Sequence, residues 1–264
     1  MQNTPESRDL PSAIAALVSA GTDEDIAAAL TAAIAAAVDH DATCLLAFHQ
    51  EAPPEVLHHT MSAQRARHYL DRYLAGPYML DPLYQLALRR DKPTICRCRD
   101  ESPDRFRSSE YFRHYYERTH LADEMDYLLD VDRQTTLVLV VGRWEKRFSR
   151  PDVASLHWLE PIVNAAMQRI WDAWSAQHSD EDRDLSMHQR LTRCFEQFGE
   201  SRLTQRERQI TQLLLRGHSS KSVARELDIA PGTVMVHKRN LFSKLGITSQ
   251  YELFSLFIDK LSAS

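Results

Sequence analysis

Met235, Val236 and Arg239 lie within Pro231 to Leu245, where Val234, Leu241 and Leu245 recur at helical spacing. With that apolar stripe turned toward a core, the three residues fall on the outward side. An arginine there can bond a guanine bidentately, and a valine or methionine can meet a thymine methyl. Ser219, Lys221, Thr233, Lys238 and Lys244 flank them. Hydroxyls and ammonium groups so placed suit phosphate oxygens, which set register and supply most of the affinity. The chemistry on offer is non-covalent reading of double-stranded DNA.

The charge distribution points the same way. The 264 residues carry a net charge of −5. From Ser201 to Ser264 there are ten Lys and Arg against five Asp and Glu, so this tail is +5 and the preceding residues are −10. A compact basic segment beside an acidic body suits one domain that meets a polyanion and one that does not.

Covalent chemistry finds little support. The sequence contains no Gly-rich phosphate loop, Gly-x-Ser-x-Gly elbow or His-Glu-x-x-His helix, and it has only seven glycines. His58-His59 and the acidic run Asp180-Glu181-Asp182 form no recognisable site, and the second falls in an expected linker. Cys96 and Cys98 would share a face of a strand, but no partner pair stands at zinc spacing. Neither an enzyme nor a bound cofactor or metal is expected. Four scattered cysteines make no disulfide framework and fit a reducing cytoplasm. Met1 to Glu6 lacks the basic start of a secretory signal, and no apolar run reaches membrane-span length.

The elements that must position these residues follow from periodicity and punctuation. Pro11–Ala20 and Asp23–Val38 read as helices, the second capped by Thr22. Strands are expected at Ala42–Phe48, Val56–Met61, Asp91–Arg99, Glu124–Val131 and Thr135–Arg143, with helical character at Ser62–Leu74 and Ser108–Arg118. Ser149 caps a long helix from Pro151 to about Ala176. This order predicts an α+β sensor domain over 1–177, an antiparallel sheet flanked by helices. A polar linker at 178–200 follows, then an all-α four-helix domain over 201–264. There Thr204 and Glu207 form a capping box, Gly217 stops the first helix, and Pro231 opens the third. Two short helices joined by a tight turn make a helix-turn-helix. In the first domain Tyr111, Tyr115, Tyr116 and Tyr127 could line a pocket with apolar walls and hydroxyl donors.

Leu203-Thr-Gln-Arg-Glu207, Gly217-His-Ser-Ser-Lys-Ser-Val-Ala224, Pro231-Gly-Thr-Val-Met-Val-His237 and Lys244-Leu-Gly-Ile247 together resemble the LuxR/FixJ-type helix-turn-helix. The resemblance implies a transcriptional regulator whose third tail helix enters the major groove. It also implies a homodimer, with Tyr251, Leu253, Phe254 and Phe257 suited to pairing the tails, that acts on RNA polymerase. Ala230 stands where the family has a serine, and Met235 where it often has a basic residue. Tyr69-Leu-Asp-Arg-Tyr73 followed by Asp81-Pro82 resembles the acyl-homoserine-lactone-binding domain of such regulators, with Tyr69 in place of a tryptophan. That resemblance implies a small-molecule effector held by Tyr69, Tyr73 and Asp81, the aspartate accepting from a ligand amide. A GAF-like or PAS-like sensor, or a domain controlled by a protein partner or by dimerisation, fits the same elements.

Overall fold

The computed structural model describes residues 9–89, 91–178 and 185–262. Two alanine-rich helices lead, α1 (Leu10–Ser19) and α2 (Asp23–Ala37). Asp9 and Thr22 cap them by accepting the amides of Ser12 and Asp25. Strands β1 (Ala42–His49) and β2 (Glu55–His59) precede α3 (Ala63–Leu74), a short 3-10 turn at Pro77–Leu80 and α4 (Pro82–Ala87). Then come β3 (Ile95–Cys96), α5 (Cys98–Glu101), β4 (Asp123–Asp130), β5 (Thr135–Arg143) and α6 (Arg150–Ser175). Five helices close the chain: α7 (Leu185–Glu196), α8 (Gln205–Leu215), α9 (Ser220–Glu226), α10 (Pro231–Leu245) and α11 (Gln250–Ser262).

The strands form one sheet in the order β2-β1-β5-β4-β3, each neighbouring pair antiparallel. Alternation sends Leu45, Ala47, Met125, Tyr127, Leu137, Leu139 and Val141 to one face, where they form a core with α2 and α6. From α6 come Leu156, Leu159, Val163, Ala166, Met167 and Ile170, all buried. Tyr127 donates its hydroxyl to the Leu156 carbonyl at 2.8 Å, so a fully buried phenol keeps a partner. Ser149 and Asp152 form a reciprocal capping box at the start of α6, and Arg143 adds an ion pair to Asp152 at 2.8 Å.

Two expectations are corrected here. The strand over Asp91–Arg99 shrinks to Ile95–Cys96, because Pro93 has no amide to give a ladder and Cys98 already begins α5. The helical character expected over Ser108–Arg118 is present from 110 to 119, mostly in π and 3-10 geometry. Part of the expected linker is helical, since α7 occupies Leu185–Glu196 and buries His188, Leu191, Cys194 and Phe195. Residues 179–184 of that linker, with the acidic run at 180–182, lie outside the described residues, as does the expected signal-free start at 1–6.

The described residues fall into two compact units that do not follow chain order. One holds 9–66, Ala87–Asp100 and 121–178, with the sheet and its covering helices. The other holds Arg67–Leu86, Glu101–His120 and 185–262. In the first unit Cys98, Glu124 and Asp126 are buried, with one ligand atom of each within 4.8 Å of the others. No helix among the described residues is long and apolar enough to cross a membrane.

Candidate nucleic-acid interface and effector pair

Helix α8 begins at Thr204, whose side chain accepts the Glu207 amide while the Glu207 carboxylate accepts the Thr204 amide. Glu207 is only 3% exposed, and Lys244 of α10 covers it with N–O distances of 2.7 and 2.9 Å. Burial raises the Glu207 carboxyl, but the hydrogen bonds from Lys244 and Thr204 leave it below its ordinary value. The fold thus uses Lys244 to neutralise a buried acid. That contact competes with the phosphate contact the sequence suggested for it.

Ser219 caps α9 by accepting the Ser222 amide at 3.1 Å. The turn to α10 passes through Asp228, which has a positive φ of 49°, and the Ile229 amide bonds the Ala224 carbonyl at 3.0 Å. Helix α10 opens on Pro231 with no side-chain cap, since Ala230 has none to offer. Gly246, at φ 72°, ends it in the left-handed conformation that glycine adopts without strain. Val234 and Leu241 are fully buried and pack the helix down, while Leu245 is half-buried. On the opposite side Met235 is 65% exposed and Val236 48%, with Thr233 and Arg239 also open to solvent. Met235 and Val236 are thus two adjacent apolar side chains beside an exposed arginine.

Lys221 is exposed on α9. Lys238 is half-buried, its ammonium 5.3 Å from the Phe242 ring, and burial, with help from Arg105, lowers its pKa. In α11, Leu253, Phe254 and Phe257 are core residues. Phe195 and Phe198 meet Phe257 edge-on at 5.5 Å, and His114 stacks on Phe254 at 5.6 Å. Tyr251, 56% exposed, is the one member of the expected pairing face that α11 shows outward.

The residues expected to hold an effector come together in part. Tyr73 donates its hydroxyl to Asp81 at 2.7 Å, and the other Asp81 oxygen accepts the Leu83 amide at 2.9 Å. Burial lifts the Asp81 carboxyl to about 6 against these two bonds, and burial together with the Asp81 charge raises Tyr73. Tyr69, one turn back on α3, is half-buried and meets the His68 ring edge-on at 4.8 Å. Sequence reading missed the neighbours of this pair. The buried Tyr78 hydroxyl bonds His188 of α7 at 2.8 Å, and Tyr84 lies edge-on to Tyr78 at 5.1 Å. Of the four tyrosines expected to line a pocket, Tyr127 is in the sheet core. Tyr111 is buried beside Phe106, with ring centroids 6.0 Å apart.

Residues 201–257 match the bacterial regulatory proteins of the luxR family. An HTH-type transcriptional regulator of the exeN 3′ region in Aeromonas salmonicida is 34% identical over 157 residues, covering 58% of this chain and 80% of that protein. The transcriptional regulatory protein UhpA of Escherichia coli is 44% identical over 57 residues, 22% of this chain and 29% of its own length. Among solved structures, the VqsR LBD domain of Pseudomonas aeruginosa has the same fold. It superposes with a TM-score of 0.55 at 24% identity, covering 62% of this chain and 96% of that domain. With its α+β sheet region and its helix-turn-helix tail, the chain belongs to the luxR family of HTH-type transcriptional regulators.

Proposed function

We propose that this regulator reads an operator by placing α10 in the major groove of duplex DNA, with Met235, Val236 and Arg239 toward base edges. The observation that carries the reading is the bare pair Met235 and Val236 beside exposed Arg239, on a helix that buries Val234 and Leu241 on its other side. Lys221, Thr233, Lys238 and Ser219 stand at the groove margins for phosphates, with Lys244 able to join only by leaving Glu207. The active form is a homodimer on a two-fold site, acting with RNA polymerase in the cytoplasm. In functional terms 1–177 is the sensor, 178–200 the connector and 201–264 the reader.

A small-molecule effector binding at Tyr69, Tyr73 and Asp81 controls the reader. The shared fold with a domain described as an LBD, and the buried aspartate held by a tyrosine hydroxyl, support this part. The test is a binding series on genomic operator fragments and on random duplex. Arg239→Ala is expected to lose the preference for operator, at a cost of about 1–3 kcal/mol, and to keep random-duplex binding. Lys221→Ala is expected to weaken both equally. Equal losses on both DNAs for both variants would sink the assignment.

A further inference from the structure

The loop before the 3-10 turn at Phe106–Ser108 reaches the reader at the point where a phosphate is expected. Asp104 accepts from the Ser219 backbone amide at 2.9 Å and from the Ser219 hydroxyl at 2.5 Å. The neighbouring Arg105 amide donates to the Gly217 carbonyl at 3.1 Å. Gly217 is at φ +94°, and a Cβ there would lie 3.1 Å from the Phe106 Cα, so a glycine is needed for the close approach. Arg105 also lies near enough to Lys238 to disfavour its charge. Further along the same segment, His114 stacks on Phe254 of α11. One stretch of chain therefore bonds the N-cap of α9, places a like charge near a cation of α10 and stacks on a ring of α11.

A carboxylate resembles a phosphate in the atoms it presents: two anionic oxygens able to accept from an amide and a hydroxyl at once. From this geometry we infer that Asp104 is an internal phosphate mimic, which docks on the donors of Ser219 and holds the reader in a form that DNA must displace. The inference rests on the reading of α9 and α10 as the DNA-contacting pair. Burial raises the Asp104 carboxyl, but the two Ser219 bonds and the nearby His218 and Arg225 leave it below its ordinary value, so it is anionic at neutral pH. Asp104 is itself exposed, so replacing it removes the contact without opening a core.

The test compares full-length wild type, Asp104→Ala, Asp104→Asn and the charge control Glu226→Gln, using fluorescence anisotropy on a labelled mixed-sequence duplex. Asp104→Ala is expected to bind on the order of tenfold tighter than wild type, as when one charged hydrogen-bond competitor is removed. Asp104→Asn, which keeps one acceptor, falls between. Glu226→Gln, which removes a charge from α9 but no contact to Ser219, changes affinity much less. Hydrogen exchange supplies a second readout: amides of 104–109 in the wild type exchange faster once duplex is added. If Asp104→Ala gains no more than Glu226→Gln, and 104–109 exchange is indifferent to DNA, the mimic is wrong while DNA reading stands. If no variant and no wild-type protein binds duplex at all, the DNA-reading assignment fails and takes the mimic with it.

Discussion

Asp81 shows how much a single buried acid can reveal about a site. Its two oxygens are held by the Tyr73 hydroxyl and the Leu83 amide, yet burial dominates and lifts its pKa to about 6. In the unfolded chain an aspartate titrates near 3.8, so between the two values the folded form binds the extra proton. The stability this lends is present below the unfolded value and is lost as pH rises through about 6. As pH rises from below 3.8 to neutral, wild type is therefore expected to lose up to about 3 kcal/mol relative to Asp81→Asn. Parallel urea-denaturation midpoints for the two proteins over that range would show that the carboxyl does not titrate there. The same strain makes Asp81 receptive: a ligand N–H replacing the Tyr73 hydroxyl would meet an acceptor already stripped of water. Lys244 teaches the opposite lesson. Its position on α10 reads as a phosphate contact in sequence, but sequence cannot show that Glu207, 37 residues earlier, is buried and needs its charge.

At the scale of elements, the local rules worked where a signal was local. Thr22, Ser149 and Thr204 all cap the helices their sequence positions implied, each accepting a backbone amide in the first turn. Ala230 occupies the equivalent place before α10, with φ −67° and ψ 141°, close to the −67° and 162° of Thr204. A serine there should adopt the same cap, so Ala230→Ser is expected to stabilise the reader by about 1 kcal/mol, measured as a raised thermal midpoint. An unchanged midpoint would mean the first turn of α10 is already satisfied by other donors and acceptors. β1, β5 and α6 were legible for similar reasons, since β1 and β5 are nearly continuous apolar runs of strand length and α6 keeps a helical period over 26 residues. What escaped was every feature set by distant chain. The α7 helix was hidden behind the polar stretch that precedes it, and its apolar side becomes meaningful only when Phe195 meets Phe257. No local pattern announces that Asp104 will bond Ser219, 115 residues away. The exposure of Met235, Val236 and Arg239 was legible because one helix supplies both the buried stripe and its opposite face.

The whole molecule carries two opposed fields, a basic tail of +5 on a body of −10. Repulsion from the body reaches only about one Debye length, near 8 Å at physiological ionic strength, so it weakens binding chiefly at low salt. The attraction comes from cations in direct contact, each releasing a counterion from the duplex as it neutralises a phosphate. With Lys244 held by Glu207, the cations proposed for phosphate are Lys221, Lys238 and, where it is not on a base, Arg239. Two or three such contacts per chain give a slope of log affinity on log salt of about −1.8 to −2.7. A fourfold drop in salt should then strengthen random-duplex binding by roughly ten- to fortyfold per chain, and Lys221→Ala should flatten the slope by about 1. A steeper wild-type slope, with an extra contact that vanishes in Lys244→Met, would mean that DNA draws Lys244 away from Glu207. A flat slope would mean that the tail does not meet the backbone at all, leaving the exposed Met235 and Val236 to be explained by a protein surface instead.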